Sequence, residues 1–354
     1  MTAKKWIVSF FALVLAIVLL LSAAAWAVDP FFQFRSRDNA YMLSAIFSGS
    51  GLIRTWDYDT LILGSSMIQN FDMDTFREKL GAKPLHVGLG ALRASELLEL
   101  TELGYEAGKA DAYYICADLW AFTNTKESRI PQHLLRRDLL SRLRYLLSYE
   151  VWFRYIPVDT GLLLADRLGV SLPYKFAYSR SIDRLDDWQL DYPPSSFGRE
   201  AAFKNYRIEA ARESDVEKEG LYERMTENID AFLGRMDLTK GKHVFFFPPY
   251  SSLYWCDAQD RGVFDDYLRA KRYFIARAEE LGAEVYDFQS ADFTADPDNY
   301  KDTTHFLPQY NDWMVDRFAD GGCRVTAETA EAFEARLIEL TETFRAEYAD
   351  RLVQ

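Results

Sequence analysis

Two short stretches of this chain carry residue types suited to nucleophilic acyl chemistry. Gly64-Ser65-Ser66-Met67 comes directly after an apolar run and leads toward a helical pattern. A serine at such a turn exposes its hydroxyl beside the positive end of a helix and free backbone N–H groups. That suits a nucleophile whose product is an oxyanion. The same Gly-Ser-Ser string also makes an ordinary turn and helix cap. A serine needs a base to take its proton, and the base needs a partner that fixes its tautomer. The histidines are His86, His133, His243 and His305, so a histidine base must be one of these. Asp302-Thr303-Thr304-His305, near the end of the chain, offers a carboxylate and an imidazole three residues apart. Ser66 as nucleophile, His305 as base and Asp302 as its orienting partner form the candidate catalytic set.

The elements around these residues read as an α/β fold. Apolar runs at Asp59–Leu63, Pro84–Val87, Ala112–Ala117, Val244–Phe247 and Val285–Phe288 predict five strands. Helical patterns lie between them, at Arg93–Gly108 and at Asp265–Leu281, the latter closed by Gly282. Runs apolar on both faces and separated by helices predict a parallel sheet covered on both sides. In such a sheet ligands bind beyond the carboxyl ends of the strands, which is where Ser66 and the Asp302–His305 stretch fall. Residues 58–325 form this domain, with a mostly helical insertion at about 123–240 that reads as a cap. Residues 29–57 read as a connector, and 326–354 as a charged amphipathic C-terminal helix.

Residues 1–28 read as a transmembrane anchor or a signal segment. Lys4 and Lys5 precede an apolar run from Trp6 to Val28. As a helix it is roughly 34 Å long, enough to span a bilayer core. Ala25-Trp26-Ala27 resembles a cleavage site, but the run is longer than a usual signal core, which favours a retained anchor. Lysines before the span and Asp29 directly after it put the remainder outside the cytoplasm under either reading. The expected location is the cell membrane, single-pass, with the large domain extracytoplasmic.

The Ser66 block and the Asp302–His305 block together resemble those of the SGNH, or GDSL-type, hydrolase superfamily. That family has its serine after the first strand, in a Gly-Asp-Ser block; here Ser65 stands in the aspartate's place and Ser66 in the nucleophile's. Its final Asp-x-x-His block is matched by Asp302 and His305. Its second block lends a glycine N–H to the oxyanion hole. His86-Val87-Gly88-Leu89-Gly90 corresponds, so the resemblance implies a hole built from Ser66 and Gly88, with Gly90 the rival. The third block departs: where the family has Gly-x-Asn-Asp, this chain has Ala117-Asp118-Leu119-Trp120, and nothing but proximity supports Asn124 as the missing donor. Asp118 would either line the pocket or cap the next helix.

Within the superfamily, the membrane segment and Gly-Ser-Ser most resemble the branch that includes teichoic-acid D-alanine transfer and alginate acetylation proteins. That implies work on acylated glycans or polymers of the cell envelope, beside a multispanning acyltransferase. The expected function is a serine esterase or O-acyltransferase acting through a Ser66 acyl-enzyme. The alternative is a non-catalytic accessory or binding protein on the same fold, which the altered first and third blocks keep open.

Other features bear on partners. A formal net charge of -13 repels phosphate backbones and argues against nucleic-acid binding. No metal-ligand spacing or nucleotide-binding loop is visible, and no cofactor is expected. Phe247–Trp255 follows a strand and is rich in aromatics. It would serve as a wall for a sugar or acyl chain through Tyr250, or simply as a packed loop. Between His133 and Leu147, Leu135, Leu139, Leu143 and Leu147 share one face, with Arg136, Arg137, Arg142 and Arg144 around the rest. Such a stretch meets anionic lipid or polymer, or packs its leucines inward. Cys116 falls in an apolar run and reads as a buried thiol. Whether Cys256 and Cys323 pair is not decided by spacing.

Overall fold

The computed structural model describes residues 2–37, 42–124, 126–170, 194–210 and 216–352. It forms two compact units, Met1–Trp56 with Arg129–Trp188, and Asp57–Ser128 with Gln189–Gln354.

The larger unit is a mixed α/β domain around a six-stranded sheet: β1 (Thr60–Gly64), β2 (Pro84–Gly88), β3 (Ala112–Cys116), β4 (Lys242–Phe247), β5 (Glu284–Asp287) and β6 (Arg324–Val325). Their order is β2-β1-β3-β4-β5-β6, parallel throughout except for β6, which runs antiparallel to β5. The first five strands lie within two residues of the apolar runs that predict them; the sixth has no counterpart among those runs.

Every residue of β1 is buried, with no polar alternation, because helices cover both sides. Along β4, Phe245 and Phe247 turn to one side, their ring centres 5.3 and 5.5 Å from Phe274 of the helix Phe264–Glu280. Phe246, between them, turns to the other side and meets Phe71 at 6.0 Å and Phe318 at 5.4 Å. Phe318 belongs to the helix Gln309–Asp320.

The helix Phe264–Glu280 buries Phe264, Tyr267, Leu268, Lys271, Phe274, Ile275 and Ala278, a stripe at the three-four spacing of an amphipathic helix. Asp265 and Asp266 in its first turn suit the positive helix end. The one charge on the buried stripe has its partner: Lys271 Nζ lies 2.6 Å from Asp287 Oδ2 and 3.0 Å from Gln289 Oε1. Asp287 Oδ1 accepts the Gln289 N–H at 3.0 Å. Helix and β5 are therefore joined through the core by an ion pair as well as by apolar contact.

The smaller unit begins with the helix Ala3–Val28, the one helix among the described residues long and apolar enough to cross a membrane; none of its most apolar 18-residue window is buried. Asp29 ends it in a left-handed conformation and ties the next turn together. Its carboxylate accepts the amides of Gln33, Phe34 and Arg35 and the Tyr145 hydroxyl. The stretch 29–57, expected as a connector, contains a helix, Ala45–Thr55. Its Ser48-Gly49-Ser50-Gly51 run is explained by close approach: a Cβ on Gly51 would stand 2.0 Å from the Phe31 carbonyl oxygen. Phe31, Leu43, Leu134, Tyr145, Val151 and Tyr155 form this unit's core, Phe31 stacking on Phe47 at 5.0 Å.

The stretch expected as a single cap at 123–240 is thus divided. Arg129 onward belongs with the N-terminal segment, whereas helices Arg199–Ala210 and Leu221–Leu233 belong to the α/β unit; residues 125, 171–193 and 211–215 lie outside the described ones. The C-terminal stretch forms the helix Ala330–Glu347. Cys116, Cys256 and Cys323 are all free thiols, the first two buried.

Candidate active site

β1 delivers Ser66 to the surface from a wholly buried run. From Thr60 to Phe71, Ser66 alone is not buried. The strand ends at Gly64, where a Cβ would stand 2.6 Å from the Cys116 Cβ and 2.8 Å from Ile68 Cγ2; only glycine lets the chain turn this close to β3. A short 3-10 turn, Ser66–Ile68, follows at once. The Ser66 amide opens that turn and has no acceptor within it, so it is available as an oxyanion donor. The turn is held from several directions. Ser65 Oγ accepts the Met67 amide at 3.3 Å, and the buried Asn311 donates its Nδ2 to the Met67 carbonyl at 3.1 Å.

His305 and Asp302 come from a loop after β5 that closes on itself. Lys301 N–H donates to the His305 carbonyl at 2.9 Å, and Tyr300 bridges to Phe306. Ser251 Oγ donates to the Thr303 carbonyl at 2.6 Å, Asn205 Nδ2 to the Lys301 carbonyl at 2.7 Å, and Thr303 Oγ1 to Glu209 Oε2 at 2.8 Å. This loop brings the three expected residues into line. Ser66 Oγ lies 2.9 Å from His305 Nε2, and His305 Nδ1 lies 2.7 Å from Asp302 Oδ2. The remaining Asp302 oxygen accepts the amides of Thr304 at 2.9 Å and His305 at 2.7 Å. The arrangement gives the serine a base within hydrogen-bond reach and gives that base a fixed tautomer.

Burial alone pushes the Asp302 carboxyl up. The His305 side chain and the two backbone amides outweigh it and hold the group at about 2. A folded-state value below the ordinary 3.8 means Asp302 adds stability above that ordinary value and loses it as pH falls toward 2. The difference corresponds to about 2 kcal/mol. Asp302→Asn should therefore lower the melting temperature relative to wild type at pH 6, and the gap should shrink toward pH 2. Calorimetric scans of both proteins across that range check this; a constant gap would mean Asp302 is not held ionised by these contacts.

Beneath Ser66 lies a second buried network. Asp118 caps the short helix Leu119–Phe122 by accepting the Trp120 amide at 3.1 Å. It also receives the Tyr250 hydroxyl and the Ser65 side chain. Burial pushes its carboxyl above the ordinary value, opposed by those donors. Tyr250 is 2% exposed and Trp255 1%, so the Phe247–Trp255 loop packs inward. Tyr250 anchors Asp118 in place of walling a ligand, the role expected for it. Asp118 positions the Ser65–Met67 turn from below, and only 7% of it reaches the surface.

Gly88 also differs from expectation. The Leu89 amide donates to the Gly64 carbonyl at 2.9 Å. Amides alternate along a strand, so the Gly88 N–H faces the outer edge of β2, away from Ser66. What Gly88 contributes is room, since a Cβ there would stand 3.0 Å from Ile68 Cγ1 and 3.1 Å from the Ser65 carbonyl. Among the described residues no cluster of three His, Cys, Asp or Glu side chains could hold a metal ion.

Asn311, Ser251, Asn205 and Glu209 are the supports that sequence reading missed. None has a motif, and each matters only through contacts across long stretches of chain. Comparison with known proteins, by family models, curated sequences and solved structures, returns no match to this chain.

Proposed function

We propose that this chain is a membrane-anchored, extracytoplasmic serine esterase or O-acyltransferase of SGNH type. It would act on acyl esters of a cell-envelope glycan or polymer. The observation that carries the reading is the Ser66–His305–Asp302 relay, with contacts of 2.9 and 2.7 Å. The strand order β2-β1-β3-β4-β5 supports it. That is the flavodoxin-like doubly wound order, whose ligand crevice opens at the β1/β3 switch point. Ser66 and Asp118 stand at the carboxyl ends of those two strands.

In this reading His305 Nε2 takes the hydroxyl proton as Ser66 Oγ bonds to the acyl carbonyl carbon. The Ser66 amide stabilises the resulting oxyanion. His305 returns the proton to the departing alcohol oxygen, leaving acyl-Ser66. Water or an acceptor hydroxyl, deprotonated by His305, then releases the acyl group and restores the serine.

The turned-away Gly88 amide and the lack of the family's third-block asparagine, where Leu119 stands, favour the second reading, an accessory protein that binds the polymer without turnover. Incubating the purified full-length chain with p-nitrophenyl acetate separates the two. Burst release of p-nitrophenol matching the enzyme concentration supports acyl transfer through Ser66, and release at the buffer rate supports the accessory reading.

The anchor reading rests on the apolar helix Ala3–Val28 behind Lys4 and Lys5. Alkaline phosphatase fused after Gln354 should be active in intact cells, and the fusion should stay with membranes through a salt wash. An inactive fusion would put the large unit in the cytoplasm and end this part of the proposal.

A further inference from the structure

The smaller unit holds a cavity of about 490 Å³ whose lining includes Arg35, Arg54, Arg136, Arg137, Arg142 and His133. No described carboxylate lines it, in a chain with 54 acidic against 41 basic residues. Three neighbouring acids have partners of their own, Asp57 pairing with Lys83. Asp29 is surrounded by three amides and the Tyr145 hydroxyl, and Asp138 accepts the amide and hydroxyl of Ser141. Arg136, Arg137 and Arg142 are all exposed, and among the described residues none of them has an ion-pair partner. Three guanidinium groups, those of Arg136, Arg137 and Arg142, thus border the cavity with no counter-charge among the described residues, and an anion would stabilise them. The guanidinium fork matches phosphate oxygens in pairs.

The surroundings of the cavity say where the anion comes from. Arg35 stacks on the Trp26 ring at 4.7 Å and donates to the Ala27 carbonyl, so this wall is fastened to the last turn of the apolar helix. A helix of 26 residues is about 39 Å long and ends at headgroup depth when it spans a bilayer. Tryptophan is the residue that favours that depth.

On the other side, the arginine-bearing stretch continues into the helix Leu139–Leu146. Leu139 and Leu140 are 74% and 76% exposed there, contrary to inward packing. Leu143, Leu147 and the neighbouring Tyr149 and Phe153 are exposed as well. An apolar rim beside a cationic cavity complements a molecule with an anionic head and hydrocarbon tails.

We propose that this cavity binds the phosphate headgroup of an anionic membrane lipid, with the exposed leucines against its acyl chains. The headgroup-depth placement rests on the anchor reading of the apolar helix; the cavity and its charge do not.

The test uses the full-length chain in neutral maltoside detergent, titrated calorimetrically with dioctanoyl phosphatidylglycerol. Dioctanoyl phosphatidylcholine and glycerol phosphate serve as comparators. Neither membrane insertion nor turnover is needed, so failure here is distinguishable from failure of the anchor or enzyme readings. Phosphatidylglycerol should bind at least tenfold tighter than either comparator. The double variant Arg136→Gln/Arg142→Gln should lose that binding about tenfold to a hundredfold, each charged hydrogen bond being worth roughly a factor of ten. Both side chains are exposed, so folding should be intact, as circular dichroism would verify. Arg144→Gln, outside the cavity, should bind within about twofold of wild type.

Equal affinity for phosphatidylcholine would overturn the proposal, as would an equal loss in Arg144→Gln, which would mean diffuse surface charge. Glycerol phosphate binding as tightly as the lipid would overturn the lipid assignment in favour of a free phosphate or a phosphate polymer.

Discussion

Ser66→Ala should abolish labelling by a fluorophosphonate and reduce ester turnover by roughly a thousandfold to a millionfold, the range seen when a triad acts as one unit. The expectation follows from geometry. Ser66 is the one residue not buried in its run, and its hydroxyl proton has an acceptor 2.9 Å away. His305→Ala should be about as inactive, because the serine without its base is a poor nucleophile. The double variant should be little worse than either single one, since each change already disables the same step. Asp302→Asn should lie between, with the imidazole present but its tautomer no longer fixed. Additive losses in the double variant would mean that Ser66 and His305 serve separate steps. Full labelling of Ser66→Ala would place the nucleophile elsewhere.

The next largest effect concerns folding. Lys271→Met should destabilise the α/β unit by about 3–5 kcal/mol, because it leaves the fully buried Asp287 carboxylate with its cation removed. Lys271→Met combined with Asp287→Leu should recover most of that loss. Replacing a whole buried pair by apolar side chains of similar size is often neutral or stabilising. Urea denaturation of the wild type, the single variant and the double variant checks this. A single variant within about 1 kcal/mol of wild type would show that Asp287 reaches water or another cation in the folded state.

The five principal strands were legible because each contains a short, largely apolar run bounded by turn or helix signals, the pattern of a covered parallel sheet. β6 was not, since two residues, Arg324 and Val325, carry no period. The relay was legible because Ser66 and the Asp302–His305 stretch each follow a strand. What holds it was not: Asn311 reaches Met67 across 244 positions, and Asp118 receives Tyr250 across 132. No local pattern encodes such contacts. Gly88 misled because its sequence context and its amide direction are independent; the direction is decided by which amide β2 gives to β1, that of Leu89.

The leucines of 139–147 were ambiguous for a different reason. The helical period says that they share a face, and it is silent on whether that face meets protein or lipid. Residues 129–170 also read as part of a cap because nothing in their composition tells them apart from the helices that follow.

The loop from Tyr300 to Phe306 has one more consequence. It carries both His305 and Asp302, and its own internal hydrogen bonds close it. Imidazole and carboxylate therefore travel as one cartridge, whereas the serine rides on a different strand. A displacement of this loop as a unit, for instance through loss of the Glu209 or Ser251 contacts, would lengthen the Ser66–His305 gap and leave the His305–Asp302 contact as it was. Such a movement would act as a clutch: proton transfer disengages while the base stays in its working tautomer, ready to re-engage when the loop returns.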